Sequence, residues 1–300
     1  MHGRAPVVVT VSLGALLSFA SSASAQLSQP LKVNWRQAAA LATYPVYKPT
    51  RAFGLKARVT AQANGCVPDE GKVQVVANYG RRSGKGPQLG LWQANPYVCG
   101  DPGEARRYRK ARIRHRTVWV WAFCETPYPA CALIHGRSHG WLVRLRLRAG
   151  KPRTLTDVEM IGSHITVRRF IRAARSLRRV KPAGSVPLSE FLSSDGSVWC
   201  RIGRFDPDDR WCVGKAGFGA SVSLDGTEHL CGPGQPDPYT ECTQNGNPYA
   251  TRLKDGVSSD FGGYLCTAKA STITCTVKAG AGTGRGFVVS STASSVLGPP

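Results

Sequence analysis

Ten cysteines divide this 300-residue chain into a stretch with four, Cys66, Cys99, Cys124 and Cys131, and a stretch with six, Cys200, Cys212, Cys231, Cys242, Cys266 and Cys275. No two are spaced Cys-x-x-Cys, the pattern of a redox or zinc site. An even number without that spacing points to structural disulfides, which persist where the compartment is oxidising. The first residues indicate such a compartment. Arg4 precedes an apolar run from Val7 to Phe19, and Ala23-Ser24-Ala25 stand before Gln26. A cationic head, a short apolar core and a small-x-small exit describe a cleavable secretory signal over residues 1–25. The run is shorter than the ~20 apolar residues of a membrane span, and no later stretch is long and apolar enough to be one. The expectation is an extracytoplasmic protein with no transmembrane segment after cleavage.

Cysteine count does not fix connectivity, but proximity in sequence favours Cys200–Cys212, Cys231–Cys242 and Cys266–Cys275. The same preference gives Cys66–Cys99 and Cys124–Cys131 in the first stretch. Each local bridge is expected to contribute about 2–3 kcal/mol by restricting the unfolded chain.

Charge is split along the same line. Residues 26–185 hold 30 Lys/Arg against 7 Asp/Glu, a net +23, whereas residues 186–300 hold 9 against 11. An imbalance of this size favours anionic partners for the first half. Arginine also outnumbers lysine 28 to 12, which GC-rich codon usage produces without selection for a ligand.

Periodicity outlines a first domain over residues 31–181. Asn34 caps a short helix over 35–42, and alternating segments at 72–79, 89–93, 112–124 and 141–148 read as strands. A closing helix follows Thr166, with Val167, Phe170, Ile171, Ala174 and Leu177 as its apolar stripe. The sum is an α+β domain, an antiparallel sheet with helices on one face. Arginines form three rows in it: Arg112, Arg114 and Arg116 on one strand; Arg144, Arg146 and Arg148 on another; and Arg168, Arg172, Arg175 and Arg179 along the helix. Such rows can bind phosphate or carboxylate polymers through bidentate guanidinium contacts. They also read as the wet faces that any amphipathic element requires. Trp119, Trp121 and Phe123 share one strand face and are expected in the core.

Residues 182–187, rich in proline, read as a linker to a small disulfide-stapled all-β domain over 188–297. Hairpins are expected from 197–202 with 210–213, and from 264–267 with 272–277. Asp225-Gly226 marks a turn between 220–224 and 228–231.

Two resemblances add to this. Tyr44-Pro45-Val46-Tyr47-Lys48-Pro49, Gly54-Leu55, Leu91-Trp92-Gln93 and Arg172-Ala173-Ala174-Arg175-Ser176-Leu177 resemble sheet-plus-helix extracytoplasmic domains of lipoproteins and anti-sigma-associated proteins. That resemblance implies sensing or binding. In those domains acidic residues follow the last helix's cap, where this chain has Val167-Arg168-Arg169. The second half, over residues 190–297, resembles exported six-cysteine domains of unknown function from high-GC Gram-positive bacteria. The matching residues are Phe191 to Cys200, Arg210-Trp211-Cys212, Leu265-Cys266-Thr267, Ile273-Thr274-Cys275 and Gly284-Arg285-Gly286-Phe287. Ser194, Ser197 and Arg285 replace the proline, asparagine and histidine usual in that family.

Catalytic motifs do not fit their surroundings. Gly136-Arg137-Ser138-His139-Gly140 satisfies G-x-S-x-G, which works on a strand-to-helix elbow, yet a strand-like segment follows it. Gly280 to Gly286 lacks the lysine and hydroxyl of a phosphate loop and reads as a flexible loop. Asp206, Asp208 and Asp209 lack the rest of an EF-hand and read as a solvated turn. No cofactor or metal is expected. The working expectation is a secreted, non-enzymatic envelope protein binding anionic cell-surface polymers through its basic half, with no physiological nucleic-acid partner. An envelope sensor acting on a membrane partner, and a small hydrolase using Ser138 and His139, are the alternatives.

Overall fold

The computed structural model describes residues 30–63, 73–80, 86–95, 105–124, 139–149, 154–203, 210–233, 247 and 250–298. These residues are mostly β-strand, with two helices.

The first half opens with β1 (Leu31–Val33), α1 (Trp35–Leu41), β2 (Tyr47–Pro49), β3 (Ala57–Ala63), β4 (Val73–Tyr79) and β5 (Gln88–Ala94). It continues with β6 (Ala105–Ile113), β7 (Arg116–Cys124), β8 (His139–Ala149), β9 (Thr154–Ser163), α2 (Val167–Arg175) and β10 (Leu177–Arg179). Eight of these strands form one sheet in the order β1-β3-β4-β5-β9-β8-β7-β6, and β10 pairs with β2 apart from it. The expected caps are present. The Asn34 side chain accepts from the N–H groups of Arg36 and Gln37, and Gln37 Oε1 accepts from Asn34 N–H, a capping box. Thr166 Oγ1 accepts from Arg169 N–H at the start of α2.

Alternation gives the eight-stranded sheet two different faces. Val75, Val120, Val143, Leu145, Val158 and Met160 lie on the buried face, in one hydrophobic cluster with Ala38 to Leu41 of α1 and with Phe170, Ile171 and Ala174 of α2. Gly162 of β9 lets α2 approach: a Cβ there would stand 2.6 Å from Cδ2 of Phe170. The same cluster continues into Phe191, Val198, Ile273 and Phe287, so the apolar interior spans both halves.

The second half comprises β11 (Ser185–Val186), β12 (Glu190–Leu192), β13 (Val198–Ile202), β14 (Arg210–Gly214), β15 (Gly219–Val222) and β16 (Glu228–Cys231). Then follow β17 (Thr251–Arg252), β18 (Ser258–Phe261), β19 (Tyr264–Lys269), β20 (Thr272–Val277), β21 (Gly286–Ser290) and β22 (Ser294–Leu297). They form two six-stranded sheets, β11-β18-β19-β20-β21-β22 and β16-β15-β14-β13-β12-β17. The expected hairpins are β13–β14 and β19–β20, and β15 pairs with β16 across the Asp225-Gly226 turn. Each hairpin places two cysteines directly opposite, and disulfides join Cys200 to Cys212 and Cys266 to Cys275. Sγ of Cys212 and Sγ of Cys275 are 3.9 Å apart, so the two bridges meet in the interior between the sheets. Cys231 is also disulfide-bonded. Cys242, Cys66, Cys99 and Cys131 lie outside the described residues, as does the side chain of Cys124.

Three sequence expectations need correction. Residues 112–124 are not one strand: β6 and β7 form a hairpin turning at Arg114-His115, both with positive φ (46° and 65°). The last helix ends at Arg175, because Leu177–Arg179 pair with β2 instead. The glycine-rich segment 280–286 is packed rather than loose. Gly282 N–H donates to Leu224 O, and a Cβ on Gly280 would stand 2.4 Å from that same oxygen. Within residues 182–187, Ser185 and Val186 join the second half as β11.

Candidate functional site

The three arginine rows meet different fates. The first is dispersed by the β6–β7 turn. Arg114 swings over the Tyr47 ring (4.9 Å) and donates to Leu177 O, and Arg116 donates to Arg146 O. Arg112 supplies its carbonyl to Nε of Arg175, which ties the hairpin tip to the last turn of α2.

The second row lies on the sheet face turned away from α2, and carboxylates neutralise two of its members. Arg144 Nε donates to Glu159 Oε2 at 2.7 Å, and Arg146 makes a two-pronged contact with Asp157 at 2.8 and 3.1 Å. These pairs are dictated by register, since β8 and β9 set Arg144 opposite Glu159 and Arg146 opposite Asp157. The Asp157 bond holds the Arg146 guanidinium above its ordinary range. Arg148 stands opposite Leu155 and meets no carboxylate among the described residues.

Trp119, Trp121 and Phe123 share this face, and their assignment to the core is overturned. Val118 and Val120 point inward, leaving the three aromatic rings half-buried on the far side. Arg107 lies over both tryptophans (5.3 and 5.5 Å), and Lys110 lies over Trp119 (5.2 Å). Cation–π contact occupies the ring faces that a planar ligand would need.

The third row forms a concave site. Arg168, Arg172 and Arg175 project from the outer side of α2, while Phe170, Ile171, Ala173 and Ala174 are buried. Arg51, Arg109 and Arg178 join them around a cleft of about 560 Å³. The six arginines are brought together by three local devices. Pairing of Pro49 with Leu177 lays the chain after β2 against the end of α2. There Ser176 is a hub: its Oγ donates to Ala173 O and accepts from Arg51 N–H, and its carbonyl accepts from Thr50 N–H and Oγ1. The third device is a register shift in β6 between Arg107 and Arg109. Without it the two arginines would share a face; with it Arg107 stays opposite Trp121 while Arg109 is set opposite the inward-facing Val120, on the α2 side.

None of the six guanidinium groups has a carboxylate partner among the described residues, and all six residues are exposed. Thr50 and Ser176 add hydroxyls to the lining. Such a surface can accept oxyanions bidentately. Arg179, the fourth member of the expected row, is on β10 and does not line the cleft.

The remaining candidates sort as follows. Ser138 lies outside the described residues, and His139 begins β8, a strand between antiparallel neighbours where a nucleophile elbow would need a helix. Asp206, Asp208 and Asp209 also lie outside them. Cys200, Cys212 and Cys275 cluster closely enough to suggest a metal, but their sulfurs are consumed in disulfides. At the positions departing from the six-cysteine pattern, side chains knit turns: Ser194 donates to Asp255, Ser197 to Asp195, and Arg285 to Gly226 O and Glu228.

No described helix is long and apolar enough to cross a membrane. No protein-family model, curated protein or solved structure matches the chain.

Proposed function

We propose that the chain is an exported, non-enzymatic binding protein whose first half, an α+β domain, engages phosphate- or carboxylate-bearing polymers of the cell envelope through the arginine cleft beside α2. The single observation that carries this reading is the accumulation of six arginines around one concavity without a neutralising carboxylate among the described residues. Excess charge that served only solubility would spread over the surface, whereas charge serving a polyanion is focused where a chain can lie. The second half, read as a six-cysteine β domain, is the covalently stapled partner that packs against the basic half. The secretory signal over residues 1–25 and the buried disulfides support an extracytoplasmic location.

The test is sedimentation of the full mature chain with poly(glycerol phosphate) and, separately, with an uncharged glucan. The reading expects salt-sensitive co-sedimentation with the former alone. Equal association with both, or with neither at low salt, would overturn it.

A further inference from the structure

A second cavity, of about 260 Å³, lies where the two halves meet, lined in part by Ala39, Thr43, Thr154, Arg179 and Lys254. Lys254 comes from the second half, in the loop between β17 and β18, and reaches across to donate to Ala39 O at 3.1 Å. That oxygen is one of the carbonyls that the end of α1 leaves without an N–H partner. An ammonium group has three donors, so two remain for the cavity.

Among the described residues that line the cavity, the charged neighbour of Lys254 is also a cation. From β10 comes Arg179, which lines the same cavity and whose charge acts on Lys254. Tyr44, from the segment after α1, is neutral: burial pushes its hydroxyl far up, and that hydroxyl is held by Val73 O, Gln93 O and Val75 N–H. Ala149 and Thr154, at the ends of β8 and β9, carry no charge. The adjacent Asp255 is turned elsewhere, its carboxylate accepting from Ser194 Oγ and Ala270 N–H, both at 2.6 Å. Among the described residues no carboxylate lines this cavity. Two cations therefore share a small concave space with no counter-charge among the described residues.

We propose that this junction is an anion site in which one small oxyanion, a sulfate- or phosphate-like group, bridges the Arg179 guanidinium and the Lys254 ammonium. The volume is below the ~300 Å³ at which pockets for drug-sized ligands begin, so the ligand is a small ion or a terminal group rather than a polymer segment. Burial, and then the nearby Arg179 charge, hold the Lys254 amine down to about 8. An anion between the two cations reverses the repulsion and draws a proton onto Lys254. Binding and protonation are thus coupled, a property the exposed arginine cleft does not have.

The experiment is calorimetric titration of the mature chain with sulfate, which carries no titrating proton of its own near pH 8.5, in two buffers of different ionisation enthalpy. It is run in an Arg168→Ser/Arg172→Ser/Arg175→Ser background, so that failure of the polymer-binding cleft does not affect the readout. The expected result is one saturable site with uptake approaching about 0.75 proton per sulfate at that pH. Lys254→Arg should keep binding and lose the proton uptake; Lys254→Met and Arg179→Ser should each weaken binding at least tenfold. Absence of saturable binding, buffer-independent enthalpy in the parent, or unchanged affinity in Lys254→Met would each overturn the proposal. A circular dichroism spectrum matching the parent's ensures that each variant is scored in its folded form.

Discussion

The two halves of this molecule handle charge in opposite ways. In the second half cations and anions are nearly balanced, 9 against 11, and visible pairs join them across strands and turns, as with Lys278 and Asp260 or Arg285 and Glu228. In the first half 30 cations face 7 anions, so most arginines have no acid to meet. Two of the acids, Asp157 and Glu159, are placed by β-register opposite Arg146 and Arg144, and they neutralise the sheet. Six of the remaining arginines gather at the cleft beside α2. The lesson is that an arginine row in sequence stays uncompensated only where the fold sets no carboxylate against it. Rows that look alike along the chain differ in what stands across from them.

The comparison is broken most forcefully by equalising the two rows. Replacing Arg168, Arg172 and Arg175 together with Ser should abolish retention on a polyphosphate matrix at moderate salt, read by column elution. If the helix row behaves like the sheet row and the triple variant elutes with the parent, the distinction between neutralised and free arginines fails.

A second effect concerns what each half depends on. Replacing Cys200 and Cys212 together with Ala should cost about 2–3 kcal/mol in urea unfolding, with an added loss from the void beside the Cys266–Cys275 bridge. Polyanion retention should be unchanged in that variant at temperatures where it stays folded. A large loss of retention would mean that the stapled half shapes the cleft directly.

Breaking the neutral row should show in stability and not in binding. The Glu159 side chain is 5% exposed, whereas that of Arg144 is 55% exposed. Arg144→Ser therefore leaves a buried carboxylate uncompensated, at a cost of about 1–2 kcal/mol after allowance for the exposed partner. Adding Glu159→Gln to Arg144→Ser should return most of that loss in the same denaturation assay; no recovery would assign the cost to packing.

A further effect belongs to the junction between the halves. Lys254 releases its proton near 8 when folded and near 10.5 when unfolded. Between those values the unfolded chain binds more protons, so stability should rise as pH climbs from about 8 to 10.5. The rise should be absent in Lys254→Met, measured by thermal melts across that range. A rise of equal size in both would place its origin elsewhere.

Much of the fold was legible in the chain. Asn34 and Thr166 announced both helices through side-chain oxygens at the cap position. Paired cysteines at short spacing announced two hairpins, because residues joined by a local bridge must face each other. The β6–β7 hairpin was hidden: Ala105 to Lys110 is too cationic to read as a strand, and its turn uses Arg114 and His115 where Asn-Gly would normally signal one. The cleft was half legible. Arg168, Arg172 and Arg175 recur at helical spacing, but Arg51 and Arg109 arrive from distant segments through the β2–β10 pairing and the β6 register shift. Neither device has a short-range signature.

The most direct test measures the salt dependence of polyphosphate binding for the parent, the Arg168/Arg172/Arg175→Ser variant and the Arg144/Arg146/Arg148→Ser variant under identical conditions. Each free arginine that meets a phosphate adds to the log–log slope, so the helix variant should lose about two units. The sheet variant should lose well under one, since two of its three arginines already have carboxylates. Equal losses from both variants, or a larger loss from the sheet row, would contradict the claim that unneutralised arginines at α2 form the site.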